Sequence, residues 1–272
     1  MTAYLLIDSR TMLRRSLRRM RRYPSLTFFV AAMPVLFLLL FVYVFGGALG
    51  AGLGGALPPE APSADAGRDA YVAYVVPGVL LVTVAGAAQG TAISVAMDMT
   101  SGIIARFRTM SIARASVLGG HVLGAVIQTL LAAAIVTAVA VIIGFRPTTD
   151  PAAWLAALGL LVLVAVAISW LSVALGMVSD SVETASNLPF FLVLLPFVSS
   201  AFVPAASMPG PLAWFAEHQP FTPIIETLRG LLLGTPIGDA GWIAIAWCAV
   251  ISAGGFLWSL RLYEKVPPRA VG

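Results

Sequence analysis

Six runs of almost unbroken apolar residues alternate along the chain with polar segments: about Leu26 to Leu49, Ala73 to Met97, Val117 to Gly144, Trp154 to Val178, Leu188 to Ala206 and Trp242 to Leu260. A helix rises about 1.5 Å per residue, so roughly 20 apolar residues cross the ~30 Å hydrocarbon core of a bilayer. The pattern therefore predicts an all-α membrane protein with six transmembrane helices. Barrel strands would alternate over about ten residues, and these runs do not alternate. The fifth run is the weakest helix, because Pro189, Pro196 and Pro204 each remove a backbone donor and are expected to kink it. Glycine pairs at small-xxx-small spacing, Gly46 with Gly50, Gly86 with Gly90 and Gly120 with Gly124, permit close helix approach. Among 25 glycines such pairs also arise by chance.

Three segments outside these runs are patterned. At the N-terminus Leu6, Leu13, Leu17 and Met20 fall on one helical stripe, with Arg14, Arg15, Arg18, Arg19, Arg21 and Arg22 around it and Pro24 at the turn into the first run. This predicts an amphipathic helix over residues 1–24, lying in the interface with its arginines toward lipid phosphate. The plainer alternative is a topology signal only. Residues 98–114 place Ile103, Ile104, Phe107 and Met110 at helical spacing with Arg106 and Arg108 beside them, after Asp98 and Gly102 end the second run. That suits either a short helix docking into a groove on a soluble partner or a solvated basic loop. Residues 207–240 form the longest external segment. There Pro220 and Pro223 are expected to break the backbone, and Ile224 to Leu233 reads as a helix too short to span, with Glu226 and Arg229 spaced to pair. The stretch from Gly50 to Ala70, rich in Gly, Pro and Ala, reads as an external loop.

Composition agrees with the pattern. Of 272 residues 60% are apolar and 10% charged, with a mean hydropathy of +0.96, too few charges to cover a soluble domain of this size. Thirteen of the 16 basic residues fall on one side of the predicted spans, leaving only Arg68, Arg146 and Arg229 on the other. By the positive-inside rule both termini and residues 98–114 are cytoplasmic, which agrees with an even number of crossings. Because the basic excess is concentrated beside apolar spans, an anionic leaflet accounts for it and nucleic acid is not expected as a partner. Small residues near Ala48 to Ala51 resemble a signal-peptide cleavage site, but the apolar run before them is longer than a usual signal core, and a retained span is expected.

Candidate chemistry narrows the function classes. There is no GxxxxGK[ST] phosphate loop, and the only lysine is Lys265, so the chain is not expected to hydrolyse nucleotide itself. Glu217 and His218 lack any accompanying ligand cluster, so no metal is expected, and the lone Cys248 is read as core packing. No GxSxG elbow or convergent carboxylates mark a lipid-acting enzyme, and His121 and His218 are expected on opposite sides of the membrane. No Asp, Glu, Lys or Arg sits at mid-span, where an ion-coupled carrier ordinarily needs one, which favours an external energy source over a secondary transporter or channel. Gln89, Thr91, Gln128 and Thr129 are the polar side chains inside the runs. They either line a substrate path or bond between helices.

The pattern Asp98-x-x-x-Gly102-x-x-x-Arg106-Phe107-Arg108-x-Met110, with Ile112, Arg114, Val117 and Leu118 after it, resembles the inter-span loop of type-2 ABC exporter permeases of the daunorubicin-resistance and polysaccharide-export type. A basic helix ending at Tyr23-Pro24, Val76-Pro77-Gly78 opening the second run, and the stretch from His218 to Gly230 agree in order and spacing, so the resemblance covers nearly the whole chain. It implies a single permease domain over residues 1–272 that pairs with a second permease, identical or paralogous, and sits on two cytoplasmic ATPase subunits in a prokaryotic cell membrane. ATP and magnesium would bind those subunits, with no cofactor in this chain, and the cargo would be a hydrophobic or amphipathic drug, lipid or glycolipid. By the same resemblance Gly102 to Met110 is the coupling helix, the N-terminal helix with Leu13, Arg14, Leu17, Arg18, Met20 and Arg22 is the interfacial connecting helix, and Ala213 to Leu233 is a re-entrant segment in the outer leaflet. His218, Pro220, Pro223, Glu226 and Arg229 would then form an external gate. Ser111 stands where many relatives carry proline, and His121 where a basic residue, often Arg, is common.

Overall fold

The computed structural model describes residues 22, 24–46, 64–102 and 114–265. Helix α1 spans Pro24–Leu40 and continues into a π-helical turn, Phe41–Phe45. The helices α2 (Ala64–Thr100), α3 (Arg114–Ile142) and α4 (Pro151–Val178) follow. Then come two short helices, α5 (Val182–Asn187) and α6 (Phe190–Leu194), and 3-10 turns at Leu195–Val198 and Ala205–Ser207. The chain continues with α7 (Gly210–His218), α8 (Phe221–Leu233) and α9 (Ala240–Lys265). No strand occurs among the described residues.

Four of these helices, α2, α3, α4 and α9, are long and apolar enough to cross a membrane. The first and fifth expected spans correspond to shorter apolar helices, Val30–Phe45 and Val182–Val198. The fifth does not begin at Leu188 as the hydropathy suggests: Ser181 caps it, its hydroxyl accepting from the Thr184 amide at 3.1 Å. It then breaks at Pro189 and tightens to 3-10 geometry at Pro196, where missing amide donors interrupt the helical ladder. The second element is longer than its apolar run. Its 37 residues measure about 55 Å, so it extends past the ~30 Å hydrocarbon core, and the expected loop from Gly50 is already helical from Ala64.

Helix α2 is the hub, 78% buried over its most apolar stretch, whereas α9 is 22% buried and presents Trp242, Val250 and Leu257 outward. α2 packs on α1, α3 and α4, while α9 leans on α4 and α8. Glycines make the closest crossings. A Cβ on Gly176 of α4 would lie 2.5 Å from the Ala92 carbonyl of α2, and one on Gly255 of α9 would lie 2.7 Å from the Leu171 amide of α4. Gly86 and Gly90, expected at such contacts from their spacing, meet nothing within 4 Å. Helix α4 starts at Asp150, whose carboxylate accepts from the Ala152 and Ala153 amides (3.0 and 3.3 Å), with Pro151 in the first turn. The broken fifth element is fastened to α1 by aromatic rings: Phe41 stacks on Phe202 at 4.3 Å and Phe37 meets Phe197 edge-on at 5.5 Å.

Candidate functional site

Two polar constellations lie toward opposite ends of α2. At the first, α8 is locked to α2 by Arg229. Its Nε and Nη2 donate to the Tyr74 carbonyl at 3.4 and 3.2 Å, and Nη2 also donates to the Ser200 carbonyl at 2.7 Å. The guanidinium lies 3.8 Å from the centre of the Tyr74 ring, and the Tyr74 hydroxyl donates to the same Ser200 carbonyl at 2.9 Å. A planar fork over an aromatic face, with several donors aimed at carbonyls, is a task suited to arginine and not to lysine. The local sequence makes the geometry available. Pro77 has no N–H to offer the preceding turn, which loosens the helix where Arg229 docks. Gly78 lets the α2 backbone press on the Ser199–Ala201 turn, since a Cβ there would lie 2.6 Å from that of Ala201.

The start of α8 is tied to the same turn. The Phe221 amide donates to Gln219 Oε1 at 2.9 Å, Gln219 Nε2 donates to Thr222 Oγ1 at 3.3 Å, and that hydroxyl accepts from the Ser200 amide at 3.2 Å. Gln219, Thr222 and Ser200 are all buried. Of the residues expected at an external gate, Arg229 is therefore the centre of a built site. Pro220 sits at the α7–α8 break, but Pro223 does not break the chain: it lies in the first turn of α8, where an amide has no helical partner anyway. Glu226 is exposed and forms no ion pair with Arg229, which uses backbone carbonyls instead. His218 is exposed, its Nδ1 2.8 Å from the Trp214 carbonyl and its ring stacked 4.7 Å from that of Trp214.

At the other end Asp98, in the last turn of α2, meets His121 of α3, with Oδ2 and Nε2 3.2 Å apart and both side chains nearly buried. Gly102 follows with φ +69°, a left-handed turn that ends α2. Ile103, Arg106, Phe107, Arg108 and Met110 lie outside the described residues, as do Leu13, Arg14, Leu17, Arg18 and Met20; Arg22 is helical and exposed.

Between the two ends the polar side chains divide. Gln89 Nε2 donates to the Ser186 carbonyl at 2.6 Å, supplying a donor beside the break at Pro189 and joining α2 to α5. Thr91 is buried and donates to the Ala87 carbonyl of its own helix at 3.0 Å. Gln128, at the middle of α3, is half-buried and makes no hydrogen bond among the described residues. No group of His, Cys, Asp or Glu that could hold a metal occurs among the described residues.

Sequence reasoning missed Tyr74, Ser200, Gln219 and Thr222. The signals that pointed near them were Val76-Pro77-Gly78, which begins two residues after Tyr74, and the stretch from His218 to Gly230, which contains Gln219 and Thr222.

Comparison with known proteins matches residues 8–233 to the ABC-2 type transporter family. The daunorubicin resistance ABC transporter permease protein DrrB1 of Streptomyces coeruleorubidus is 28% identical over 246 residues, 90% of this chain and 80% of its own length. The probable doxorubicin resistance ABC transporter permease protein DrrC of Mycobacterium tuberculosis is 24% identical over 184 residues, covering 68% of this chain and 67% of its own.

Proposed function

The chain belongs to the ABC-2 type transporter family, and from that premise we propose that it is the permease of an ATP-driven exporter, moved by separate ATPase subunits that bind ATP and magnesium at its cytoplasmic face. The observation that carries the reading is where charge sits on the four long helices. Arg68, Asp69, Asp98, Arg261 and Glu264 all lie near helix ends, and no Asp, Glu, Lys or Arg occupies a middle turn. An ion-coupled carrier ordinarily keeps such a group in the membrane, so the driving energy enters from outside the span. The names of the relatives support a hydrophobic or amphipathic drug as cargo, with lipid or glycolipid the neighbouring classes.

In this reading two copies, or this chain and a paralogue, pair in a prokaryotic cell membrane with both termini in the cytoplasm. The segment from Gly102 to Met110 docks on the ATPases, with Phe107 as its apolar anchor. Helix α2 is the lever. Asp98 at the base of that segment and Tyr74 at the Arg229 lock lie 24 residues apart on one helix, about 36 Å. A displacement at Asp98 reaches the carbonyl and ring that hold Arg229, and release of that lock frees α8 at the exit. Gln128, an amide halfway along α3 with no partner among the described residues, is the side chain best placed to meet a polar group of the cargo. His218, Pro220 and Glu226 line the outer rim.

The test is reconstitution with the partner ATPase. Phe107→Asp is expected to abolish coupled ATP hydrolysis and daunorubicin transport while the permease still inserts; undiminished coupling in that variant would remove the docking assignment. Transport in ATP-free liposomes driven by an ion gradient would instead favour a secondary carrier.

A further inference from the structure

We infer that the Asp98–His121 pair is a brace that makes the ends of α2 and α3 move as one body when the segment between them is pushed, an inference that rests on the coupling reading above. Asp98 lies two residues before the end of α2, where the carbonyl ends of the helix repel a carboxylate. Its side chain is only 7% exposed and that of His121 only 12%. A carboxylate in so poor a place is costly unless a donor meets it. His121 Nε2 meets it at 3.2 Å from the neighbouring helix, seven residues after α3 begins.

The apolar contacts between these helix ends are of a different kind. Val95 and Met99 of α2 and Leu118 and Val122 of α3 belong to one buried apolar cluster, whose attraction is non-directional and permits sliding. The Asp98–His121 contact joins one polar atom on each helix at 3.2 Å between two nearly buried side chains, and sliding of one helix on the other would separate them. It ties together the two helix ends that flank residues 103–113, so a load on that segment is delivered to α2 and α3 together. The consequence reaches both functional positions. α2 leads to Tyr74, and Gln128 follows His121 by seven residues on the same face of α3.

The experiment uses the full chain with its partner ATPase in liposomes, in a Cys248→Ser background, with spin labels at Thr100→Cys and Leu123→Cys, both exposed positions. The unaltered pair should give one narrow intramolecular distance peak, with and without ATP. His121→Ala should lose that single peak, whereas His121→Lys and the exchanged pair Asp98→His with His121→Asp should keep it. A folding defect from loss of the imidazole would affect Ala and Lys alike, so rescue by Lys isolates the brace. A His121→Ala peak as narrow as the unaltered one, or a Lys peak as broad as the Ala one, would overturn the inference. The same liposomes carrying Phe107→Asp report on the coupling reading through ATP hydrolysis: if hydrolysis stays coupled to transport, that reading fails, while the width of the nucleotide-free peak still decides the brace.

Discussion

Arg229 shows how one side chain acquires a role that its neighbours in sequence do not announce. Glu226, three residues away, is its obvious partner, yet two carbonyls and a ring hold it instead. Carbonyls at a proline-loosened turn need donors, and a guanidinium supplies several in one plane. Arg229→Lys keeps the charge and loses the fork, and is expected to cost about 1.5–3 kcal/mol, the usual worth of hydrogen bonds to a charged group. Glu226→Gln, at an exposed position, is expected to stay within about 0.5 kcal/mol. Thermal unfolding of the purified permease in one detergent measures both, and equal losses in the two variants would argue for a Glu226–Arg229 pair.

Among the elements, the crossing of α2 and α4 leaves the least room. Gly176 stands where any Cβ would enter the Ala92 carbonyl, while Gly159 of the same helix has open space around it. Gly176→Val should push the helices apart at a cost of about 1–3 kcal/mol or more, since packed interiors do not absorb added methyls. Gly159→Ala is expected to be tolerated, because alanine is the better helix former by about 1 kcal/mol. Size-exclusion profile and melting midpoint separate the two. Loss of the folded peak in Gly159→Ala, or its retention in Gly176→Val, would mean that the crossing lies elsewhere.

For the molecule as a whole, the arrangement reads as one long central helix with a lock at each end and a peripheral last helix facing outward. The arginine bias assigns the sides. A cysteine at Arg106 should react with a membrane-impermeant thiol reagent only when the cytoplasmic face is presented, and one at Ser207, exposed in its 3-10 turn, only from the opposite face. Both are made in the Cys248→Ser background. Reaction of the two from the same side would break the assigned topology and with it the path from Asp98 to Tyr74.

Helices, their order and the weakness of the fifth followed from sequence alone, because burying an apolar run and losing a donor at proline are local effects that each residue carries with it. The short helix before the last long one was legible for the same reason, with its start displaced from Ile224 to Phe221 because proline is harmless in a first turn. Pairings were not legible. Tyr74 and Arg229 are separated by 155 positions, Gln89 and Ser186 by 97, and nothing in either pattern says which carbonyl a donor will meet. Spacing pointed to Gly86 and Gly90 as contact glycines when the crossings fell at Gly176 and Gly255, since a helix periodicity defines a face and not the neighbour that covers it. Composition and periodicity thus determined which segments leave water; only the packing of α2 among its neighbours decided which polar groups find each other there, because that choice depends on distances set by every helix at once.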